Sequence, residues 1–284
     1  MTAAYQVRAM RRDELSFAIE LAANEGWNPG VHDAEVFFAT DPGGFLVGLL
    51  DDVPIGCISA VRYDQSFGFL GFYIVAPEHR GCGYGLPLWN SALEQFGARN
   101  IGLDGVKEQQ ANYRKSGFSL AYSNIRYAWH KRLQSWPATA PNVVSVRQVD
   151  AAGIARYDRL CFPASRPTFL DGWLNQPGSV ARAWWENNTI RGYGVIRRCR
   201  DGWKVGPLFA DNRGIAELLL LALSREIANE EPVYLDVPEA NIEAIRLAAD
   251  LGMCEVFSTA RMYNRYFPDI LTERIFGVTT FELG

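Results

Sequence analysis

The chain has 284 residues, with 28 Lys and Arg against 32 Asp and Glu, a formal charge of −4, and 48% apolar residues. That balance belongs to a globular protein with enough chain for one large domain or two ordinary ones. It excludes the basic excess of a nucleic-acid binder, and the five cysteines, at 57, 82, 161, 199 and 254, form no CxxC pair for a zinc site or disulfide framework.

Unpaired cysteines predict free thiols in a reducing cytoplasm. The opening MTAAYQVRAMRRDEL has no apolar signal-peptide core, and the apolar stretch 218–223 is too short to span a bilayer. No membrane partner is expected. His32, His79 and His130 lack ligand spacing, so no metal is expected.

In chain order, a strand near Tyr5 leads into a helix over 13–25, with Leu15, Ala18, Ile19 and Ala22 at helical spacing. A Gly- and Pro-containing loop follows over 25–30, then a short helix over 33–39 with Asp33 as its expected cap. Strands are predicted over 45–50 and 55–63, joined by a turn at 51–54, and a strongly apolar one over 67–75. Next come a glycine loop and a helix whose buried face is expected to carry Leu86, Trp89, Leu93 and Phe96. A strand over 102–106, a helix over 109–116 ended by Gly117, and a strand over 120–130 complete the order β-α-α-β-β-β-α-β-α-β.

The chain then repeats itself. Val7-Arg8 matches Val146-Arg147 at an offset of 139, Gly102-Leu103-Asp104 resembles Tyr234-Leu235-Asp236 at 132, and Gly117-Phe118 resembles Gly252-Met253 at 135. Gly44–Val47 resembles Gly178–Ala181 at 134. Offsets that drift by a few residues indicate a tandem duplication. The segment QSWPATAPN, at 134–142, reads as the linker. The expected domains are 1–133 and 143–284, and Asp104, matched by Asp236, is expected to have a structural role in each.

The informative segment is the glycine loop. Gly81, Gly83 and Gly85 lie between an apolar strand and an amphipathic helix. Glycines permit positive φ and close backbone approach, and the N–H groups at a helix start bind anions such as pyrophosphate. The loop is not a Walker A, which requires Gly-Lys-Ser/Thr, and not the Rossmann GxGxxG. What remains is Arg-x-x-Gly-x-Gly, on Arg80, Gly83 and Gly85, with Tyr113-Arg-Lys-Ser-Gly-Phe118 downstream.

These two motifs, in this order, resemble the GCN5-related N-acetyltransferase (GNAT) superfamily over residues 1–133. Gly192–Arg197, Val205–Ala210, Tyr234–Pro238 and Arg261–Tyr263 resemble the second domain of its two-domain YitH-like subtype. So do the loop 25–30 and the ending 277–284. The resemblance implies an α/β chain of tandem GNAT folds, each a twisted, mostly antiparallel sheet flanked by helices. It implies acetyl-CoA as co-substrate. Tyr73 N–H would face the acetyl oxygen, and Ile74 and Val75 would pair with the pantetheine. Arg80, Gly81, Cys82, Gly83, Tyr84, Gly85 and Leu86 would hold the pyrophosphate. Tyr113 would be the general acid, and Glu25, Trp27 and Asn28 would bind the acceptor. In the second half, Asp211 and a lone Gly214 replace the loop and Ala248 replaces Tyr113, so that half is expected to be a degenerate domain without CoA chemistry.

The residues also carry blander readings. Tyr113 could be a packed core tyrosine, and Glu25, Trp27 and Asn28 an ordinary loop. Cys82 has no partner histidine, and acyl transfer to an amine needs no nucleophilic thiol. A lysine-like amine, with pKa ~10.4, is neutral about once in 10³ near pH 7.4, so a base is needed; Glu25, His32 and Asp104 are candidates. The expected activity is transfer of an acetyl group from acetyl-CoA to a primary amine of a small molecule. The alternatives are a protein or peptide N-acetyltransferase and a non-catalytic acetyl-CoA-binding module. The acceptor and the oligomeric state stay open.

Overall fold

The structure, a computed structural model, describes residues 4–130, 140–227 and 231–284. Most of the expected linker, 134–142, lies outside the described residues. The first half comprises β1 (Tyr5–Ala9), α1 (Leu15–Asn24), α2 (Asp33–Thr40), β2 (Phe45–Leu50), β3 (Val53–Arg62), β4 (Phe67–Val75), α3 (Gly85–Phe96), β5 (Asn100–Val106), α4 (Gln110–Lys115) and β6 (Ser119–Trp129). The second half comprises β7 (Val143–Ser145), α5 (Ala151–Cys161), α6 (Pro167–Asn175), β8 (Ser179–Glu186), β9 (Thr189–Arg198), β10 (Trp203–Ala210), α7 (Arg213–Ser224), β11 (Val233–Pro238), α8 (Ile242–Asp250) and β12 (Cys254–Tyr263), then β13 (Ile275–Gly277). Up to β12 the order is the same twice, as the duplicated offsets predict.

Local sequence accounts for most of these elements. β4 is apolar on both sides of its pleat because it is covered on both faces: Phe67, Phe69, Leu70, Phe72 and Ile74 are all buried. Two expectations need correction. The buried face of α3 runs through Leu88, Trp89, Ala92 and Phe96, while Leu86 is 62% exposed. Its first turn overhangs a cavity and has nothing to pack on. Asp33 is not a helix cap; it opens α2 as a buried carboxylate, accepting from Gly30 N–H at 2.9 Å and from Arg197 Nε at 2.9 Å.

The strands form one sheet in the order β1-β2-β3-β4-β5-β12-β6-β11-β10-β9-β8-β7. Only β4–β5 and β10–β11 are parallel. The centre of this order carries an exchange. The last strand of the second half, β12, lies between β5 and β6, and the last strand of the first half, β6, pairs with β11. Each half therefore completes the other's sheet. Two equivalent buried ion pairs fasten the exchange. Arg261 stands opposite Asp104 in register and grips it at 2.9 and 2.7 Å. Arg126 stands opposite Asp236 and grips it at 2.6 and 2.8 Å. The halves share a core as well: Phe37 of α2 stacks on Trp173 of α6 at 5.9 Å, and both belong to one apolar cluster with Phe72 and Phe209.

After β12 the chain returns. β13 lies along β10, with Leu208 opposite Gly277, and Val278 N–H donates to Asp236 O at 2.8 Å. Residues 278–284 run on into the first half, where Tyr63 Oη donates to Leu283 O at 2.8 Å. Glu282 is buried there. Burial raises its pKa, opposed first by Lys204 and Arg126, with Asp33 and Arg197 also near. Its Oε1 has no hydrogen-bond partner among the described residues.

Two outcomes follow from these buried charges. Arg126→Ala leaves Asp236 unpaired and costs ~3–5 kcal/mol, read from urea midpoints; the double variant Arg126→Met/Asp236→Leu recovers most of it, and no recovery would deny that the pair acts as a unit. Glu282 binds its proton more tightly folded than unfolded, so its contribution to stability is present below the ordinary glutamate pKa of ~4.3 and lost as pH rises above it. Glu282→Gln should therefore melt higher than the parent at pH 8 and equally near pH 4; the reverse order would show that its cationic neighbours outweigh burial.

Candidate active site

β4 and β5 pair only from Phe67 and Asn100 to Leu70 and Leu103, although β4 continues to Val75 and β5 to Val106. A bulge drives them apart. Cys57 and Ser59 of β3 face Ile74 and Gly71, so Phe72 and Tyr73 together oppose the single Ile58. Phe72 takes φ 48°, and its carbonyl accepts from the buried Cys57 thiol at 3.1 Å. Past Leu70 the β4 edge has no partner on β5. A cavity of about 430 Å³ opens in that gap.

The glycine loop closes one end of it. Gly81 and Gly83 have φ of +75° and +88°, with open space where a side chain would start. Helix α3 begins at Gly85, and its N-cap, Tyr84, supplies no side-chain cap. Helix-start N–H groups have no intrahelical partners; here Leu86 N–H turns back on Gly83 O at 3.3 Å, and Gly85 and Leu86 border the cavity. Tyr5 fixes the turn, donating to Tyr84 O at 2.8 Å. Arg80 crosses the mouth: Nε donates to Val75 O at 2.8 Å and Nη2 to the Glu25 carboxylate.

Among the expected residues, Glu25, Trp27, Tyr73, Ile74, Val75, Arg80, Gly81, Gly83, Tyr84, Gly85, Leu86 and Tyr113 line this one cavity. Cys82 and Asn28 do not. Cys82 is exposed, its thiol against Arg80 O. Asn28 ties the loop to the second half, donating to Asp201 O at 2.8 Å and accepting from Asp201 N–H at 3.0 Å. The same loop is held from beneath: Trp27 O accepts from Arg126 at 2.9 Å, and Asn28 O from Lys204 at 3.0 Å. Burial, then Arg126 nearby, lowers the Lys204 pKa. Tyr113 is buried, its ring stacked on Trp89 at 5.5 Å, and burial, then Tyr73, raises its phenol pKa. Of the candidate bases, Glu25 and Asp104 line the cavity and His32 does not.

Sequence reasoning missed Phe257, Thr259 and Phe281, which also line it. The first two arrive on exchanged strand β12 and the third on the returning segment. The equivalent place in the second half is built differently. Asn212 caps α7, accepting from Ile215 N–H at 3.1 Å. Asp211 is engaged by Tyr157 at 2.8 Å, Arg191 at 3.2 Å and Arg274 at 3.1 Å. β13 lies where β10 and β11 separate. Among the described residues no three side chains group as a metal site, and no helix is long and apolar enough to cross a membrane.

Comparison with known proteins agrees with this geometry. Residues 8–118 match the acetyltransferase (GNAT) family, and residues 154–277 match an acetyltransferase (GNAT) domain. The chain is 30% identical over 273 residues to holothin acyltransferase of Pseudoalteromonas sp. (strain SANK 73390), covering 96% of this chain and 92% of that protein. Two solved structures share the fold. A Pyrococcus horikoshii protein described as an acetyltransferase superposes with a TM-score of 0.84 at 21% identity, over 99% of this chain and 96% of that one. A tandem GNAT protein from the clavulanic acid biosynthesis pathway gives 0.64 at 13%, over 92% and 98%. With two GNAT folds in one chain and a relative matched nearly end to end, the protein belongs to the GCN5-related N-acetyltransferase family of acyltransferases, in its tandem form.

Proposed function

We propose that the protein transfers the acetyl group of acetyl-CoA to a primary amine of a small molecule in the cytoplasm, using one cofactor site per chain. The observation that carries this reading is the single gap onto which three features open: the free β4 edge, the uncapped glycine-rich start of α3, and Tyr113. Each fits the co-substrate. The β4 edge can take an extended amide-bearing arm as a further strand. The N–H groups of the loop and the helix dipole behind them can hold a pyrophosphate. At Gly85 a Cβ would stand 2.6 Å from Tyr73 Oη, so the absence of a side chain lets the Tyr73 hydroxyl lie against the helix start.

Acetyl-CoA supplies an activated thioester carbonyl. The Tyr73 N–H, on the bulge, is the donor for the oxygen that gains charge. Tyr113 keeps its proton because burial disfavours the phenolate. A thiol has pKa ~8.5 and a free phenol ~10, so outright transfer from Tyr113 is uphill. It serves as a hydrogen-bond donor to the departing sulfur and passes its proton as the amine's proton replaces it. A small acceptor suits the cavity, which strand β12 and segment 278–284 wall over. The similar Pseudoalteromonas protein is by its name an acyltransferase for holothin, which supports acyl transfer to a small molecule here. In the second half, the capped α7, the engaged Asp211 and the inserted β13 speak against a second cofactor site.

Calorimetry with acetyl-CoA should give one site per chain, lost in Gly83→Trp; two sites would mean that the second half binds as well. Tyr113→Phe should lower kcat by ~10²-fold or more with acetyl-CoA affinity within about twofold. An unchanged kcat would return Tyr113 to its packing role against Trp89.

A further inference from the structure

We infer that Arg80 is a latch: in the free protein its guanidinium holds the place of the cofactor arm on the β4 edge, and arrival of the arm releases the Glu25 carboxylate at the cavity wall. The inference rests on the acetyl-CoA reading above and adds a contact that links the cofactor side of the cavity to the loop 25–30. Its first ground is the direction of the Val75 carbonyl. Ala76 N–H donates to Ile55 O at 2.8 Å, so residue 76 bonds toward β3. In an antiparallel ladder successive residues bond to opposite sides, and Gly56 and Val75, the next opposed pair, do not bond to each other. Val75 therefore presents its carbonyl to the free edge. An arm that adds to this edge as a strand needs that oxygen as an acceptor. Arg80 Nε already donates to it at 2.8 Å, and a guanidinium seated there obstructs an amide arriving along the sheet.

The second ground is the other end of the same guanidinium. Nη2 donates to the Glu25 carboxylate, so one side chain joins the glycine loop to the loop after α1. The two loops differ in how they are held. Gly26 N–H donates to Ala23 O at 2.9 Å and Trp27 N–H to Ala22 O at 3.0 Å. Trp27 O and Asn28 O are engaged by Arg126 and Lys204. Glu25 therefore stays where it is. Arg80 precedes Gly81 and Gly83, around which space is open, and its long side chain reaches both partners from the surface.

The exposure of the pair sets the strength of the latch. The Arg80 and Glu25 side chains are 47% and 30% exposed, and an ion pair that wet adds little stability. Such a contact can be exchanged. It lowers cofactor affinity only by the fraction of molecules in which it is closed.

The exchange runs between defined partners. An amide N–H of the arm takes Val75 O. Arg80 leaves for a phosphate at the start of α3, where a guanidinium makes stronger, charge-assisted hydrogen bonds than with a carbonyl. Glu25 loses its cation and is left as an unpaired carboxylate on the wall that also carries Trp27. The cavity thus holds an engaged Glu25 without the cofactor and a free one with it.

The test is calorimetric titration of acetyl-CoA into the full chain and into Glu25→Gln and Glu25→Asp. Asp keeps the charge but is one methylene too short for Arg80 to hold it and Val75 O together, so either partner it keeps leaves the latch open. Both variants should bind acetyl-CoA about threefold or more tighter than the parent. Tightening in Glu25→Gln alone would report only a negative charge removed from near a polyanion, and it overturns the latch. Unchanged or weaker binding in both variants overturns it as well. A parent that binds no acetyl-CoA overturns the cofactor reading, and the latch falls with it. A crystal structure of the full chain with CoA gives the second readout: we expect a pantetheine amide on Val75 O and Arg80 away from both Val75 and Glu25. Arg80 still on Val75 O beside bound CoA overturns the inference and leaves the cofactor reading standing.

Discussion

Arg261 on Asp104 and Arg126 on Asp236 are the contacts from which the rest of the arrangement follows. Each joins a strand of one half to a strand of the other, and each pair stands directly opposite in register. A buried ion pair adds little net stability compared with a well-packed apolar pair, but a mismatch leaves a charge uncompensated. Slipping either strand by one residue would turn an arginine to the other face of the sheet and strand an aspartate in the interior. The pairs therefore determine which strand lies next to which. With β12 seated beside β5, Phe257 and Thr259 reach the cavity, and with β6 beside β11, Arg126 comes to lie under the loop that carries Trp27.

The duplicated halves show how one scaffold can be opened in one copy and filled in the other. In both, two parallel strands pair for a few residues and then part. In the first half the gap stays open, with a glycine loop and an uncapped helix at its end. In the second, β13 occupies the gap in the position that an added strand would take, and the helix start is covered by Asn212. The filled copy in turn passes its following segment forward, so that Phe281 borders the open one.

Much of this was legible in the sequence where the signal is local. The order of elements, the β4 strand, the glycine loop and Tyr113 ahead of Gly117 are each carried by a few neighbouring residues, and the structure brings those residues to one cavity. The repeat was legible because Asp104 and Asp236 keep their offset. The exchange was not. A strand's alternation says which face is buried and nothing about which strand lies beside it, so Arg126 and Arg261 gave no sign of reaching across. Leu86 was misplaced because helical spacing cannot tell a face that meets the core from one that overhangs a cavity. Asp33 fits the cap pattern, and only the tertiary fold brings Arg197 to it. Phe281 lies in a segment with neither period.

The exchange also has a meaning in time. β5 ends at Val106, and its neighbour opens its pairing at Thr259, about 150 residues later. At roughly 5–20 residues per second of synthesis, that is about 8–30 s before the final neighbour of β5 has been made. Long-range pairing of this kind is slow to form and exposes strand edges meanwhile. The cavity is thus among the last features to be assembled as the chain is made, and an incomplete chain carries the glycine loop without the walls that β12 and segment 278–284 supply.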